Sequence, residues 1–363
     1  MPVEFIGMIA TREQSEIIAP EGPFINPDFT ARFAQAHEQG GFDRILIGYG
    51  AGWAEGWGVA NAALCATDRL KVLIAHRPGF VAPTLFARQA STLDHITGGG
   101  RVAIHYITGG DEIDQRRDGD FLSHDDRYRR TGEFLTIVRR LWSEGGPLDF
   151  AGEFYRVEGA IDAVRPATPG GIPVYFGGAS EAAVRVGAEH ADVYMLWGEP
   201  LADIADRLAT LRGAAAEFGR TLRFSVSLRP ILGPTEAKAW ARAEAIAETT
   251  AQRRDAFLGH RVNKEDTSVG ARRLREAAAV SDVHDERLFT RVAAITGASG
   301  NSTALVGTPE QVAESLLKYV DLGFSTILIR GFNPLQDAAD YGRELLPLVR
   351  AGMARREREP VLV

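Results

Sequence analysis

The chain of 363 residues carries a single cysteine, Cys65, which excludes an internal disulfide and any cysteine-based metal cluster. The apolar run around it, GVANAALCATD, is expected to place that thiol on a packed helix. Lysine is nearly as scarce: Lys71, Lys238, Lys264 and Lys318 are the whole set. None of them stands at the exit of an apolar run, where an amine would attack a carbonyl from inside a site, so Schiff-base chemistry is excluded. Basic runs are missing as well. The net charge is −7 with Arg and Glu interspersed, which argues against a nucleic-acid partner. No apolar run approaches the roughly 18–20 residues of a membrane span. The start, MPVEFIGMIA, lacks the basic flank and cleavage pattern of a signal peptide, so a cytoplasmic protein without membrane contact is expected. There is no Gly-x-Ser-x-Gly elbow for acyl transfer and no histidine pair at metal-ligand spacing. No metal is expected.

What is present is a repeated pattern. Runs rich in β-branched and apolar residues lie at 3–10, 44–50, 70–76, 101–108, 173–178, 192–197, 223–232 and 325–331, and amphipathic stretches of helical length follow them. Eight such units predict a (β/α)8 TIM barrel, with an open doubly wound sheet as the alternative. Length does not force two domains, so residues 1–363 are read as one domain with two long insertions. The first covers about 108–125 after strand 4 and the second about 251–302 before strand 8, the latter a candidate lid.

In a barrel of this kind the chemistry sits at the C-terminal ends of the strands. The residues found there are Trp53 after strand 2, His76 and Arg77 after strand 3, His105 on strand 4, and Gly177 and Gly178 at the end of strand 5. Trp197 ends strand 6, Ser227 and Arg229 lie on strand 7, and Phe332 and Asn333 follow strand 8. This aromatic, histidine and arginine inventory suits a cofactor that brings its own chemistry. In PVYFGGAS, the two glycines allow a sharp turn, and a helix begins after Ser180. Orphan N–H groups at a helix start bind phosphate, and a plain turn with Ser180 as N-cap is the alternative from these residues alone.

Longer stretches carry more. RPGFVAPTLFARQASTLDHITGGGRVAIHYITGG (77–110), FLSHDDRYRRTGEFLTIVRRLW (121–142), DFAGEFYRVEGA (149–160), PVYFGGAS (173–180), ADVYMLWGEP (191–200), TALVGTPEQVAESL (303–316) and GRELLPLV (342–349) span nearly the whole chain. In these the sequence resembles the bacterial luciferase-like flavin-dependent monooxygenases, and within them the two-component alkanesulfonate monooxygenases. The resemblance implies that reduced FMN binds at the barrel mouth and reacts with O2, and that a separate NAD(P)H-dependent FMN reductase supplies it. It further implies a homodimer or homotetramer. Carried over residue by residue, Gly177, Gly178, Ala179 and Ser180 would cradle the FMN phosphate, and Tyr128 would donate its hydroxyl to it. His105 would face the isoalloxazine edge, as a hydrogen-bond partner or as a satisfied core histidine. Trp197 would wall the substrate pocket or pack the barrel.

The substrate half departs from the family pattern. Ser227 stands for the expected arginine of strand 7 and Arg229 for its histidine; Phe332, Asn333 and Pro334 stand where Tyr, Pro and His are expected. Trp53 replaces a cysteine, and the second insertion lacks an arginine at its expected place. The substrate pocket is therefore read as Trp53, His76, Arg77, Trp197, Ser227, Arg229, Phe332 and Asn333, with His105, Arg229 and Trp197 nearest the chemistry. A small organosulfur substrate, alkanesulfonate-type or sulfone, is expected, with Arg229 and Arg77 available to an anion. An amide or ring substrate, an F420-dependent oxidoreductase and a non-catalytic flavin-binding relative are the alternatives.

Overall fold

Residues 3–108, 110–144, 147–258, 268–298, 300 and 302–358 are described by the structure, a computed structural model. The eight barrel strands are strand 1 (Glu4–Met8), 2 (Arg44–Ile47), 3 (Lys71–His76), 4 (Val102–Tyr106), 5 (Val174–Gly177), 6 (Val193–Trp197), 7 (Arg223–Leu232) and 8 (Phe324–Ile329). All pair in parallel with their sequence neighbours, and strand 1 pairs with strand 8 in the register Glu4↔Thr326, so the sheet closes on itself. The expected (β/α)8 barrel is thus the observed fold, and the open sheet is excluded.

Local sequence explains the alternation of strand and helix. The helices Pro27–Gln39, Pro83–Ile96, Pro309–Asp321 and Pro334–Asp340 all open on proline, whose missing N–H would have no partner in a first turn anyway. Asn26, Ser123, Ser180 and Thr308 supply side-chain caps at helix starts. Inside the barrel, Ile6, Leu73, Ala103, Tyr175, Val193, Met195 and Leu328 fill the floor. Below them Glu4 joins Arg44 at 2.9 Å and the Tyr175 hydroxyl at 2.8 Å, closing the N-terminal end. The opposite end of the interior is lined by smaller residues, among them Gly48, Gly177 and Ser227, and this leaves room at the mouth.

Both long connections carry structure of their own. After strand 4, Asp111 caps the short helix Glu112–Arg117, and the helix His124–Ser143 then leads to an antiparallel hairpin, Leu148–Ala151 with Arg156–Ala160. Beyond strand 7 lie the helices Glu236–Leu258, Val269–Val280 and Arg291–Thr296. A small outer sheet follows, in which Ala304–Gly307 pairs in parallel with residues 229–232 of strand 7. Residues 259–267, 299 and 301 of the expected lid lie outside the described residues. Cys65 ends the helix Gly56–Cys65 and is exposed. The packed thiol expected from its apolar neighbours is corrected, because the buried stripe of that helix runs through Val59, Ala60, Ala63 and Leu64 instead. No helix among the described residues is long and apolar enough to cross a membrane.

Candidate active site

A cavity of about 1170 Å³ opens over the C-terminal ends of the strands. Its wall is best followed from strand 4 round the barrel. His105 points inward and reaches the cavity, with its Nε2 out of contact with solvent and without a hydrogen-bond partner. Burial lowers its pKa to about 4, so the ring is neutral at physiological pH. A bare strand end beside it keeps this nitrogen clear, since a Cβ on Gly177 would lie 3.0 Å from it.

Gly177, Gly178, Ala179 and Ser180 form the next stretch of wall. Gly178 has φ +152°, and a Cβ there would come within 2.5 Å of the Ala183 Cβ and 2.9 Å of the Tyr128 hydroxyl. Only glycine lets the turn pass this close. Ser180 caps the helix Glu181–His190 by accepting from the Ala183 N–H at 3.2 Å. Ser180 thus takes the Ala183 and Val184 N–H groups, and those of Glu181 and Ala182, at the very start of the helix, have no partner within it. The Tyr128 hydroxyl meets this corner from the helix His124–Ser143; burial raises its pKa, and hydrogen bonds to Ser180 and Thr108 oppose the rise. Backbone donors, a serine and a buried tyrosine hydroxyl thus converge on one point, an arrangement suited to a phosphate dianion.

Trp197 and Ser227 are register partners that both line the cavity. The Trp197 ring also packs against the cluster of Ala271, Leu274, Ala293 and Ala298, and so is clamped between barrel and second insertion. Glu199, buried beside it, binds Arg273 of the helix Val269–Val280 at 2.8 Å and Arg207 at 3.1 Å, which ties that helix down. Trp53 covers the exit of strand 2 and remains 42% exposed.

Arg229 reaches the wall too, but its charge is already engaged. Its guanidinium makes a two-pronged pair with Glu16 at 2.7 and 2.9 Å, donates to the Gly331 carbonyl at 3.0 Å, and lies 3.4 Å over the Phe332 ring. Burial would raise the pKa of Glu16, yet Arg229 and Arg330 pull it down to about 2. Phe332 therefore lies behind the wall as a platform. Asn333 sits at the start of the helix Pro334–Asp340, its N–H donating to Asp337 at 2.9 Å.

The two strand 3 residues also lie away from the cavity. His76 is the register partner of Tyr106, one step out of phase with the inward-facing Ala75–His105 pair, so it points outside the barrel. There it packs on Phe86 at 4.1 Å and Phe134 at 5.3 Å, and burial lowers its pKa to about 3. Arg77 is paired with Asp114 at 2.5 Å and stacked on Tyr49 at 4.6 Å, which fastens the first insertion to the loop after strand 2. The structure thus brings His105, Tyr128, the 177–180 turn, Trp53, Trp197, Ser227 and Arg229 to one cavity, and leaves His76, Arg77, Phe332 and Asn333 outside its wall.

Several wall residues escaped the reading of the sequence: Glu16 and Arg12 from the loop after strand 1, and Arg253 and Arg254 near the end of the helix after strand 7. Glu16 did leave a signal, a lone carboxylate in the apolar run SEIIAP. Among the described residues no three His, Cys, Asp or Glu side chains gather as a metal site.

A family profile for luciferase-like monooxygenases matches residues 3–326. The chain is similar in structure to a riboflavin lyase solved with modified FMN and riboflavin, with a TM-score of 0.80, 19% identity, and coverage of 97% of this chain and 92% of that one. An EDTA monooxygenase from Chelativorans sp. BNC1 gives 0.77 and 18%, with 97% and 95% covered. An F420-dependent secondary alcohol dehydrogenase gives 0.71 and 16%, with 96% and 99% covered. At these identities the neighbours speak for the fold, and the profile speaks for the family: the chain belongs to the luciferase-like monooxygenases, a family of flavin-dependent enzymes.

Proposed function

We propose that this enzyme is the oxygenase of a two-component system. It uses reduced FMN delivered by an NAD(P)H-dependent FMN reductase, with O2, to oxygenate a small organosulfur substrate with C–S cleavage. The observation that carries the reading is the convergence of the 177–180 turn, Ser180 and the Tyr128 hydroxyl beside the unpartnered Nε2 of His105. The turn and Tyr128 would hold the phosphate, and His105, neutral, would offer its ring nitrogen to the edge of the flavin. Reduced FMN, when bound, supplies the electrons that activate O2.

The chain's own work is binding and exclusion. Gly177 and Gly178 allow the flavin to approach the strand 5 backbone, since a side chain at either position would occupy that space. Trp197, clamped beneath the helix Val269–Val280, and Trp53 at the strand 2 exit wall off the substrate side and keep bulk water from it. Ser227, in register with Trp197, offers a hydroxyl to the substrate.

Anaerobic titration with FMN, reduced FMN and F420, followed by an O2 pulse, tests the reading. Preferred binding of reduced FMN, with O2 consumption coupled to sulfite or sulfinate release from a sulfonate or sulfone panel, supports it. The likeness to an F420-dependent dehydrogenase keeps hydride transfer as the second reading. Selective F420 binding without oxygen uptake would establish that reading instead.

A further inference from the structure

The charges around the cavity do not match those of the molecule. The chain as a whole carries −7, yet among the described residues the wall holds seven arginines against three carboxylates. Each of those carboxylates is engaged. Glu16 is paired with Arg229 at 2.7 Å and shared with Arg330 at 3.4 Å. Glu199 is paired with Arg207 and Arg273. Asp111 accepts the N–H groups of Ile113 and Asp114 at 2.9 and 3.2 Å.

Besides Arg275, which donates to the Gly297 carbonyl at 3.0 Å, three arginines remain. Arg12 donates to the Gln14 side chain at 3.0 Å and lies 4.7 Å from the Phe24 ring, neither of which carries charge. Among the described residues Arg253 reaches only the backbone carbonyl of Glu16, at 3.4 Å. Arg254 has no hydrogen-bond or ion-pair partner among the described residues. Behind them Arg330 shares the Glu16 carboxylate at 3.4 Å, and burial together with the neighbouring Arg229 lowers its pKa to about 10, still charged at neutral pH. Uncompensated cations in a concave site raise the local concentration of anions.

Their position separates them from the turn at 177–180. That turn stands at the end of strand 5, whereas Arg12 follows strand 1 and Arg330 follows strand 8. In the ring of eight, strand 1 lies four steps from strand 5 in either direction, so the two groups face each other across the mouth. The hydrogen bond from Arg253 to Glu16 puts the helix Glu236–Leu258 on the strand 1 side as well. A cofactor phosphate seated at strand 5 does not reach Arg12, Arg253 or Arg254. The cavity, at about 1170 Å³, also exceeds the roughly 300–1,000 Å³ of a pocket built for one small ligand.

We propose that Arg12, Arg253 and Arg254, backed by Arg330, form a second anion subsite that holds an oxyanion on the end of the substrate remote from the reacting atom. The proposal rests on the reading that the strand 5 turn takes the cofactor phosphate. Arg229, which Glu16 occupies, takes no part in this subsite. Guanidinium groups recognise carboxylate, sulfonate and phosphate oxygens alike, so the oxyanion class is what these residues select.

Calorimetric titration of octanoate, 1-octanesulfonate and 1-octanol into the FMN-loaded protein and into the FMN-free protein tests it. Both anions are expected to bind at least about tenfold more tightly than the alcohol, the scale of one hydrogen bond to a charged group. The Arg253→Gln/Arg254→Gln variant is expected to lose that preference while its FMN Kd stays within about twofold of wild type. Arg254 is exposed, so Arg254→Gln alone, with unchanged Tm and a smaller loss of the same sign, guards against misfolding as the cause. Equal binding of anions and alcohol by the wild-type protein overturns the subsite. So does a parallel loss of FMN affinity in the variant, which would assign the arginines to the cofactor. A variant that loses affinity for F420 alone and keeps its preference for octanoate also overturns it, placing the oxyanion on the acidic tail of that cofactor. Failure of the wild-type protein to bind any flavin overturns the cofactor reading instead, and the FMN-free titration then decides the subsite by itself.

Discussion

On the strand 5 side of the mouth, four consecutive residues, Gly177 to Ser180, make the wall, and the helix that follows is capped by the last of them. On the strand 7 and 8 side the wall depends on Glu16 and Arg229, which lie 213 residues apart in the chain. The first side is backbone and small side chains, set by local turn chemistry. The second is a buried charge pair, an aromatic platform and a set of arginines, set by how distant segments meet. The first suits a ligand group that does not change from one relative to the next. The second can be rebuilt without disturbing the barrel where the partners of its buried charge pair change together.

Breaking the second side should have the largest effect. Glu16→Gln takes from the buried Arg229 the carboxylate it is paired with and is expected to cost about 3–5 kcal/mol of stability, read from urea midpoints. Arg229→Leu added to it should recover part of that loss. A cost below about 1 kcal/mol would show that water reaches the pair. The sign of its pH dependence follows from the pKa of about 2: the contribution is complete above the ordinary carboxylate pKa of 4.5 and is lost as pH falls through about 2.

The first side is sharpened by Tyr128→Phe. Removing one hydroxyl from a bound phosphate should weaken FMN binding about tenfold to a hundredfold, or about 1.5–3 kcal/mol. An unchanged FMN Kd would remove Tyr128 from the cradle. His76→Phe touches neither side and serves as the control. His76 stays neutral when folded, with a pKa near 3, whereas the unfolded chain takes up its proton below 6.5. The wild-type protein therefore loses stability as pH falls from 6.5 towards 3, and the variant should escape about 2 kcal/mol of that loss at pH 5. Identical stability curves between pH 5 and 7 would mean that His76 is protonated in place.

The same contrast explains what could be read from the sequence. All eight barrel strands fall where the apolar runs place them, because burial on both faces of a parallel strand leaves an unbroken signal. Their ends were drawn too long, as at 44–50, where the ladder stops at Ile47 and Gly48 leaves it. The hairpin at 148–160 and the strands Val283–His284, Leu288–Phe289 and Ala304–Gly307 were not anticipated, being too short for any period to show. In the site, the 177–180 turn was legible because its residues are adjacent. His76 was assigned to the mouth because it ends a strand, yet one residue of phase sends a side chain to the opposite face. Glu16 and Arg229 were not seen as partners, because nothing in a linear reading relates positions so far apart.

Strand 7 has a property that its ten residues make possible. Its first half pairs with strands 6 and 8 in the barrel, and its second half runs past the rim to pair with Ala304–Gly307. One continuous rod is therefore both a stave of the barrel and the mast from which the covering segment hangs. Lengthening or shortening the chain between 233 and 303 changes what hangs there while the mast keeps its angle. New coverings can thus be tried on an unaltered frame, and the barrel can take on a different pocket wall without learning to fold again.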